Sequence, residues 1–288
     1  VAQALIENAT LRAIEEQLRS LDGDATEPGR SKLRTRVMTH TAWVPPRWEE
    51  AARGVLAGFG DRHPSRTILL FPDPESDRDA LDAEVDVRLF GKGGVEGSIA
   101  SEVIAIWLRG RRAAAPASVV QPLLVSDLPA FLRWRGTLPF GASELEQLAG
   151  VIDRLIVDGR EWDDLEAIYR RLPELFPRIA VSDLAWSRLL PWREAIAGLW
   201  PGVAETAQVR VSGPRAEALL LAGWLRGRLR REVTLVHAPR EELEGVALDG
   251  REVHPSYHDE RSPSDLLSAE FEIYGRDPIF EEAVASLA

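Results

Sequence analysis

The 288-residue chain contains no cysteine. That excludes disulfides, thiolate metal sites, cysteine nucleophiles and any thiol switch carried by the chain itself. Lysine is nearly missing: Lys32 and Lys92 are the only two among 35 basic residues, so arginine carries the positive charge. No stretch approaches the ~18 consecutive apolar residues of a membrane-spanning helix. Fixed-period repeats and low-complexity tracts are also lacking, which removes solenoids and disordered linkers from consideration. Basic blocks are missing too. With 46 acidic residues the formal charge is −11, and phosphate backbones are held by clustered Lys and Arg, so nucleic-acid binding is excluded as the leading class. An acidic surface suits solubility or a partner with a basic patch. A cytoplasmic location with no membrane association is the expectation.

What is present describes a globular α/β protein. An apolar fraction of 45% and a charged fraction of 28% match a chain that buries a real core, and the length favours two domains. Residues 1–21 read as a helix, with Leu11, Ile14, Leu18 and Leu21 on one face. Residues 36–44 lean towards a strand, and Pro45-Pro46 opens a helix to about Phe59. The unbroken apolar run Thr67–Phe71 predicts a strand covered on both faces. Glu84–Phe90 alternates, predicting a strand with one wet face, and Val103–Leu108 is a strand again, joined to it by a hairpin. Helix and strand then alternate: helix 118–125, strand 130–134, helix 143–150, strand 155–157, helix 162–176. A boundary falls at Pro177–Val181. Beyond it lie a tryptophan-bearing helix, strands at 208–211, 233–236, 245–248 and 270–274, a helix at 215–229 and a final helix. The predicted fold is α/β in two tandem units. The first, residues 1–180, has a mostly parallel sheet with an antiparallel hairpin; the second, residues 181–288, is a smaller mixed α/β domain.

Chemistry-bearing clusters are sparse. The acidic run Asp73, Glu75, Asp77, Asp79, Asp82, Glu84 has the spacing of a calcium loop, but Arg78 occupies the place where that loop needs glycine. It reads as a solvated loop. Gly91-Lys92-Gly93-Gly94-Val95-Glu96-Gly97 lacks the third glycine of a dinucleotide loop and the Ser or Thr of a phosphate loop, so it reads as a hairpin turn. His254, His258, Asp259 and Glu260 are separated by Pro255 and read as an exposed loop. No metal and no cofactor is expected. Asp163, Asp164 and Glu166 fit a helix start, where carboxylates complement the dipole. Ser212-Gly213-Pro214-Arg215 lies between a strand and a helix. Two readings stand: a capped turn, or a helix start whose free amides hold an anion such as a sugar phosphate. His63-Pro64-Ser65-Arg66 is either a turn feeding a strand or a partner contact. Nine tryptophans against three tyrosines fit interface anchors, but Trp186, Trp192 and Trp224 lie on helical apolar stripes and are expected in the core.

The most informative stretch is Ser182 to Arg193, in which Ser182 and Asp183 can cap a helix and Ala185, Leu189, Trp192, Ile196 and Leu199 form one stripe. It resembles a signature of the glucose-6-phosphate dehydrogenase assembly protein family, OpcA. The likeness extends in the family's order to His63–Arg66, Ser118-Val119-Val120 through Asp127-Leu128-Pro129, Val211-Ser212-Gly213 and Leu221–Leu225. The resemblance implies a non-enzymatic partner of glucose-6-phosphate dehydrogenase that promotes its active oligomer, with no catalytic residues to transfer. His63, Arg66, Ser212 and Arg215 are then the candidate partner or anion contacts. A sugar-phosphate- or nucleotide-binding α/β enzyme is the alternative.

Overall fold

Apolar runs too short for helices and too continuous for a wet sheet face become the central strands of the first unit. The structure, a computed structural model, describes residues 2–24, 37–56, 64–91 and 98–287, and its packing divides the chain between Leu155 and Ile156. In the first unit, strands β1 (Ala2–Ile6), β2 (Met38–Trp43), β3 (Ser65–Asp73), β4 (Leu81–Gly91), β5 (Ser98–Arg109) and β6 (Ala130–Trp134) accompany helices α1 (Leu11–Asp24), α2 (Glu49–Leu56), α3 (Ala117–Val120) and α4 (Ser143–Ala149). These strands lie in the order β1-β4-β5-β3-β2-β6. The pairs β5–β3, β3–β2 and β2–β6 are parallel, whereas β4–β5 and β1–β4 are antiparallel. β3 is buried from Ser65 through Pro72, as a strand enclosed on both faces must be. Ala52 of α2 packs on Ala42, Leu69, Phe71 and Ala105. The register sets Trp43 opposite Trp134, and their rings stack 5.0 Å apart.

The structure corrects two expectations in the first unit and two in the second. Residues 2–6 are a strand, not the start of a helix; they pair with Ala83–Val87, and the helix starts only at Leu11, where the 3.6-residue pattern begins. The alternating face of β4 is only partly wet: Glu84 is half-buried, but Asp86 is 8% exposed. Asp82, just ahead of the alternation, is also 8% exposed and accepts hydrogen bonds from Arg109 Nε at 2.7 Å and the Asn8 amide at 3.1 Å. Residues 92–97 of the glycine-rich segment lie outside the described residues.

β7 (Arg154–Val157) lies across the division. The second unit then carries α5 (Leu165–Arg171), β8 (Ala180–Asp183), α6 (Leu184–Arg188), α7 (Leu190–Gly198), β9 (Gln208–Gly213), α8 (Arg215–Leu229), β10 (Thr234–Pro239), β11 (Gly245–Leu248), β12 (Arg251–Val253), α9 (Pro263–Phe271) and α10 (Pro278–Ala285). Four strands form a mixed sheet in the order β10-β9-β11-β12, with only β9–β10 parallel. The expected strand at 270–274 is instead the end of α9 and a turn. Ser262 and Asp265 form a reciprocal capping box and Pro263 sits in the first turn, so local capping fixes a helix there. The tryptophan helix is two helices. Asp183 caps α6 by accepting from the Ala185 amide, and Pro191 occupies the first turn of α7, where its missing N–H costs nothing. Trp186 and Trp192 are buried as expected, and Trp224 is half-buried. Against α8 packs α10, with Gly223 so close to the backbone of Ala283 that no Cβ fits.

Candidate functional site

Two aspartates end neighbouring elements in the sequence rhythm: Asp158 follows the apolar run of β7, and Asp183 is the last residue of β8. Both stand in extended backbone that releases their carboxylates to a common centre. Asp183 Oδ1 accepts the amides of Gly159 at 2.9 Å and Ala185 at 2.8 Å, and Oδ2 accepts the Tyr169 hydroxyl at 2.7 Å. Asp158 receives both terminal nitrogens of Arg188, at 2.9 and 2.7 Å, the fork-on-carboxylate geometry that gives the strongest ion pairs. Glu217, in the first turn of α8 and 0% exposed, accepts Arg160 Nε at 2.6 Å. Arg160 also reaches outward, 3.3 Å from the exposed Glu242. Gly159 is required at the middle of this group: a Cβ there would lie 2.5 Å from the Tyr169 hydroxyl and 3.1 Å from Asp183.

Burial dominates the electrostatics. It pushes Glu217 up to about 7, against the pull of Arg160 and Arg188. Burial, and then the neighbouring charge of Asp158, raises Asp183 to about 6, although three donors work the other way. Tyr169 is driven well above its ordinary value by burial and by Asp183. Arg188 moves the other way to what burial alone dictates, because its hydrogen bonds to Asp158 hold the proton. The centre therefore contains a carboxyl group that changes charge near neutrality beside a fixed guanidinium.

Two open pockets flank this centre and share Arg160. One, of about 500 Å³, is walled by Gly159, Arg160, Trp162, Arg240 and the start of α8 at Pro214–Ala216. The other, of about 430 Å³, is walled by Arg160, Arg188, Trp192, His258, Asp259 and Arg261. Arg261 is held by Asp259 at 2.7 Å and donates to the carbonyl of Ser187 at 2.9 Å. Among the described residues no group of three or more His, Cys, Asp or Glu side chains is placed to hold a metal ion, and no helix is long and apolar enough to cross a membrane.

The four residues singled out from the sequence do not form one cluster. His63 lies outside the described residues. Arg66 is not on the surface: it is 6% exposed and ties β3 to its surroundings, donating to Glu102 at 2.8 Å, Glu15 at 2.7 Å and the Leu123 carbonyl at 3.0 Å. Ser212 is half-buried in β9, with its carbonyl accepting from the Glu244 amide at 2.8 Å. Arg215 is exposed at the first position of α8, on the wall of the larger pocket, and pairs with Glu166 at 2.9 Å. Asp158, Tyr169, Arg188 and Glu217 were not singled out. The available signal was the Asp-Gly-Arg triplet at the end of an apolar strand; the remaining members come from distant segments.

Family models match both parts of the chain. Residues 59–174 match the model described as glucose-6-phosphate dehydrogenase subunit N-terminal domain, and residues 179–256 match the corresponding C-terminal domain. Curated relatives named OpcA, with names that tie them to the OxPP cycle, occur in cyanobacteria. The chain is 31% identical over 181 residues to the one from Nostoc punctiforme, covering 58% of this chain and 38% of that protein. It is 29% identical over 180 residues to the one from Synechococcus elongatus, covering 58% and 40%. The chain thus spans about two fifths of the relatives it matches.

Proposed function

This chain belongs to the OpcA family, and from that premise we propose that it is a non-catalytic partner of glucose-6-phosphate dehydrogenase in the oxidative pentose phosphate pathway, favouring the enzyme's active oligomer. The observation that carries this reading is the match of two consecutive models, each described as part of a glucose-6-phosphate dehydrogenase subunit. The geometry of the second unit agrees: Asp158 pairs with Arg188, Glu217 with Arg160, and Asp183 with the Tyr169 hydroxyl. An effector of this kind acts by binding the active form more tightly than the inactive one. A coupling of about 1–3 kcal/mol shifts the enzyme's equilibrium by roughly 5- to 150-fold.

The reading includes a working border between an N-terminal and a C-terminal domain near residue 180; the ends of the two matched models, at 174 and 179, support it. The protein works in the cytoplasm beside its enzyme. Ser212 and Arg215, at the turn into α8, supply the anion or partner contact; Arg66 is buried and fixes β3 within the first unit. The test is dehydrogenase turnover and oligomeric state with and without the purified chain. Faster turnover with co-elution supports the reading; separate elution and unchanged turnover end it. One observation favours a second reading, a sugar-phosphate- or nucleotide-binding enzyme: the larger pocket joins the start of α8 to Arg215 and Arg240, close to a carboxyl group that titrates near 7. Turnover of a phosphorylated metabolite by the isolated chain would establish it.

A further inference from the structure

Large apolar side chains stand exposed at eight described positions; Leu190, Leu199 and Trp200 lie in or just after α7, and Tyr257 contacts that helix. Single exposed residues are ordinary, whereas a grouped set marks a contact surface. Positions 190, 193, 194 and 197 of α7 share one helix face, and that face leads into Trp200, which is 66% exposed. Tyr257, 46% exposed, donates its hydroxyl to Glu194 at 3.1 Å, so it lies against the same face. Arg193, half-buried, runs inward from this face. Its guanidinium sits 3.6 Å from the centre of the Trp186 ring, Trp186 donates to Asp277 at 2.9 Å, and Asp277 opens α10 two residues before the exposed Ile279. Burial brings Arg193 down to about 10, opposed by Asp277, Glu194, Glu270 and Tyr257. One cation is therefore enclosed by several acids, and the face is apolar and aromatic with a negative rim.

Resting on the reading above, we propose that the outer face of α7, with Trp200 and Tyr257, is where the dehydrogenase docks, through a surface of its own that carries arginine or lysine beside apolar side chains. Three features select that occupant. Exposed indole and phenol faces attract cations, Glu194 and Asp277 supply complementary charge, and the whole chain is at −11. A second copy of this chain fits worse, because a two-fold contact would bring together two copies of the same acidic face.

The experiment measures binding of the full chain to the purified dehydrogenase by surface plasmon resonance over a salt series. Trp200→Ala, Glu194→Lys and unchanged protein are compared, each checked for an unaltered melting temperature. The expected result is wild-type binding that weakens with salt, and a loss of about tenfold or more in affinity for each variant, as for a central interface anchor. Wild-type binding that the two variants leave intact overturns the docking face and spares the partnership. No binding by the wild-type chain overturns both. Self-association by light scattering that disappears in Trp200→Ala overturns the proposal in favour of a dimer.

Discussion

Arg66 in the first unit and Arg188 in the second each hold carboxylates away from bulk water, but their surroundings differ. Arg66 lies within a strand, and its partners Glu102 and Glu15 come from β5 and α1. A neighbouring strand and a helix enclose it. Arg188 ends a short helix, its partner Asp158 follows a strand, and the group borders an open pocket. The first centre is a staple and the second can respond. Their titrating neighbours show the same contrast. His40 in β2 is brought down to about 3 by burial and by Arg133, while Glu217 is raised to about 7. For His40, the stability contribution is complete above 6.5 and is lost as pH falls towards about 3. For Glu217 it is complete below 4.5 and is lost as pH rises through about 7. These two groups therefore contribute opposite pH slopes.

The sharpest way to break the comparison is Arg66→Met. Removing Arg66 breaks a buried ion pair and takes its charge partner from Glu102, whose side chain is 3% exposed. The expected loss is about 3–5 kcal/mol in urea unfolding. Hydrogen exchange should place that loss in the peptides of β3 and β5 rather than in those of α8. A change under about 1 kcal/mol would mean the centre is no staple.

Next in size is the pH response. Glu217→Gln removes the titrating group, so protection of α8 should stop declining between pH 4.5 and about 7. The wild-type decline expected from a shift of this kind is about 2–3 kcal/mol at most. His40→Leu should leave the decline in α8 protection untouched and remove the loss in β2 as pH falls from 6.5 towards about 3. If both variants alter the same limb, the two centres are not independent. Gly159→Ala comes third. A methyl group 2.5 Å from the Tyr169 hydroxyl forces the Tyr169–Asp183 bond apart at about 1–3 kcal/mol, read as a lowered melting temperature with β3 protection unchanged.

Sequence reading found the elements whose cause is local. The parallel strands announce themselves as apolar runs, Arg215–Leu229 begins after proline with a sustained helical pattern, and Asp183 was legible as a cap because capping depends on its next neighbours. It missed what depends on distant partners. Residues 2–6 are a strand only because β4 offers an edge. Asp86 alternates like a wet residue yet is buried. Arg66 looked like a surface contact because nothing in its own segment shows that Glu102, Glu15 and Leu123 converge on it from three other places. The polar centre was illegible for the same reason: Asp158, Tyr169, Asp183, Arg188 and Glu217 span some sixty residues and are brought together by tertiary packing.

The smallest expected stability effect belongs to Arg215→Ala, and its smallness is what makes it useful. Arg215 and Glu166 are 44% and 46% exposed along their side chains, so water screens the pair and its loss should move stability by no more than about 0.5 kcal/mol. Any defect in dehydrogenase activation then arises at the surface and not through the fold. Arg66→Met supplies the opposite case, a large fold defect far in sequence from the α8 turn. If Arg215→Ala lowers activation at unchanged melting temperature, the start of α8 is a contact. If activation tracks stability across both variants, the turn is only a capped helix start, and its arginine does no more than pair with Glu166.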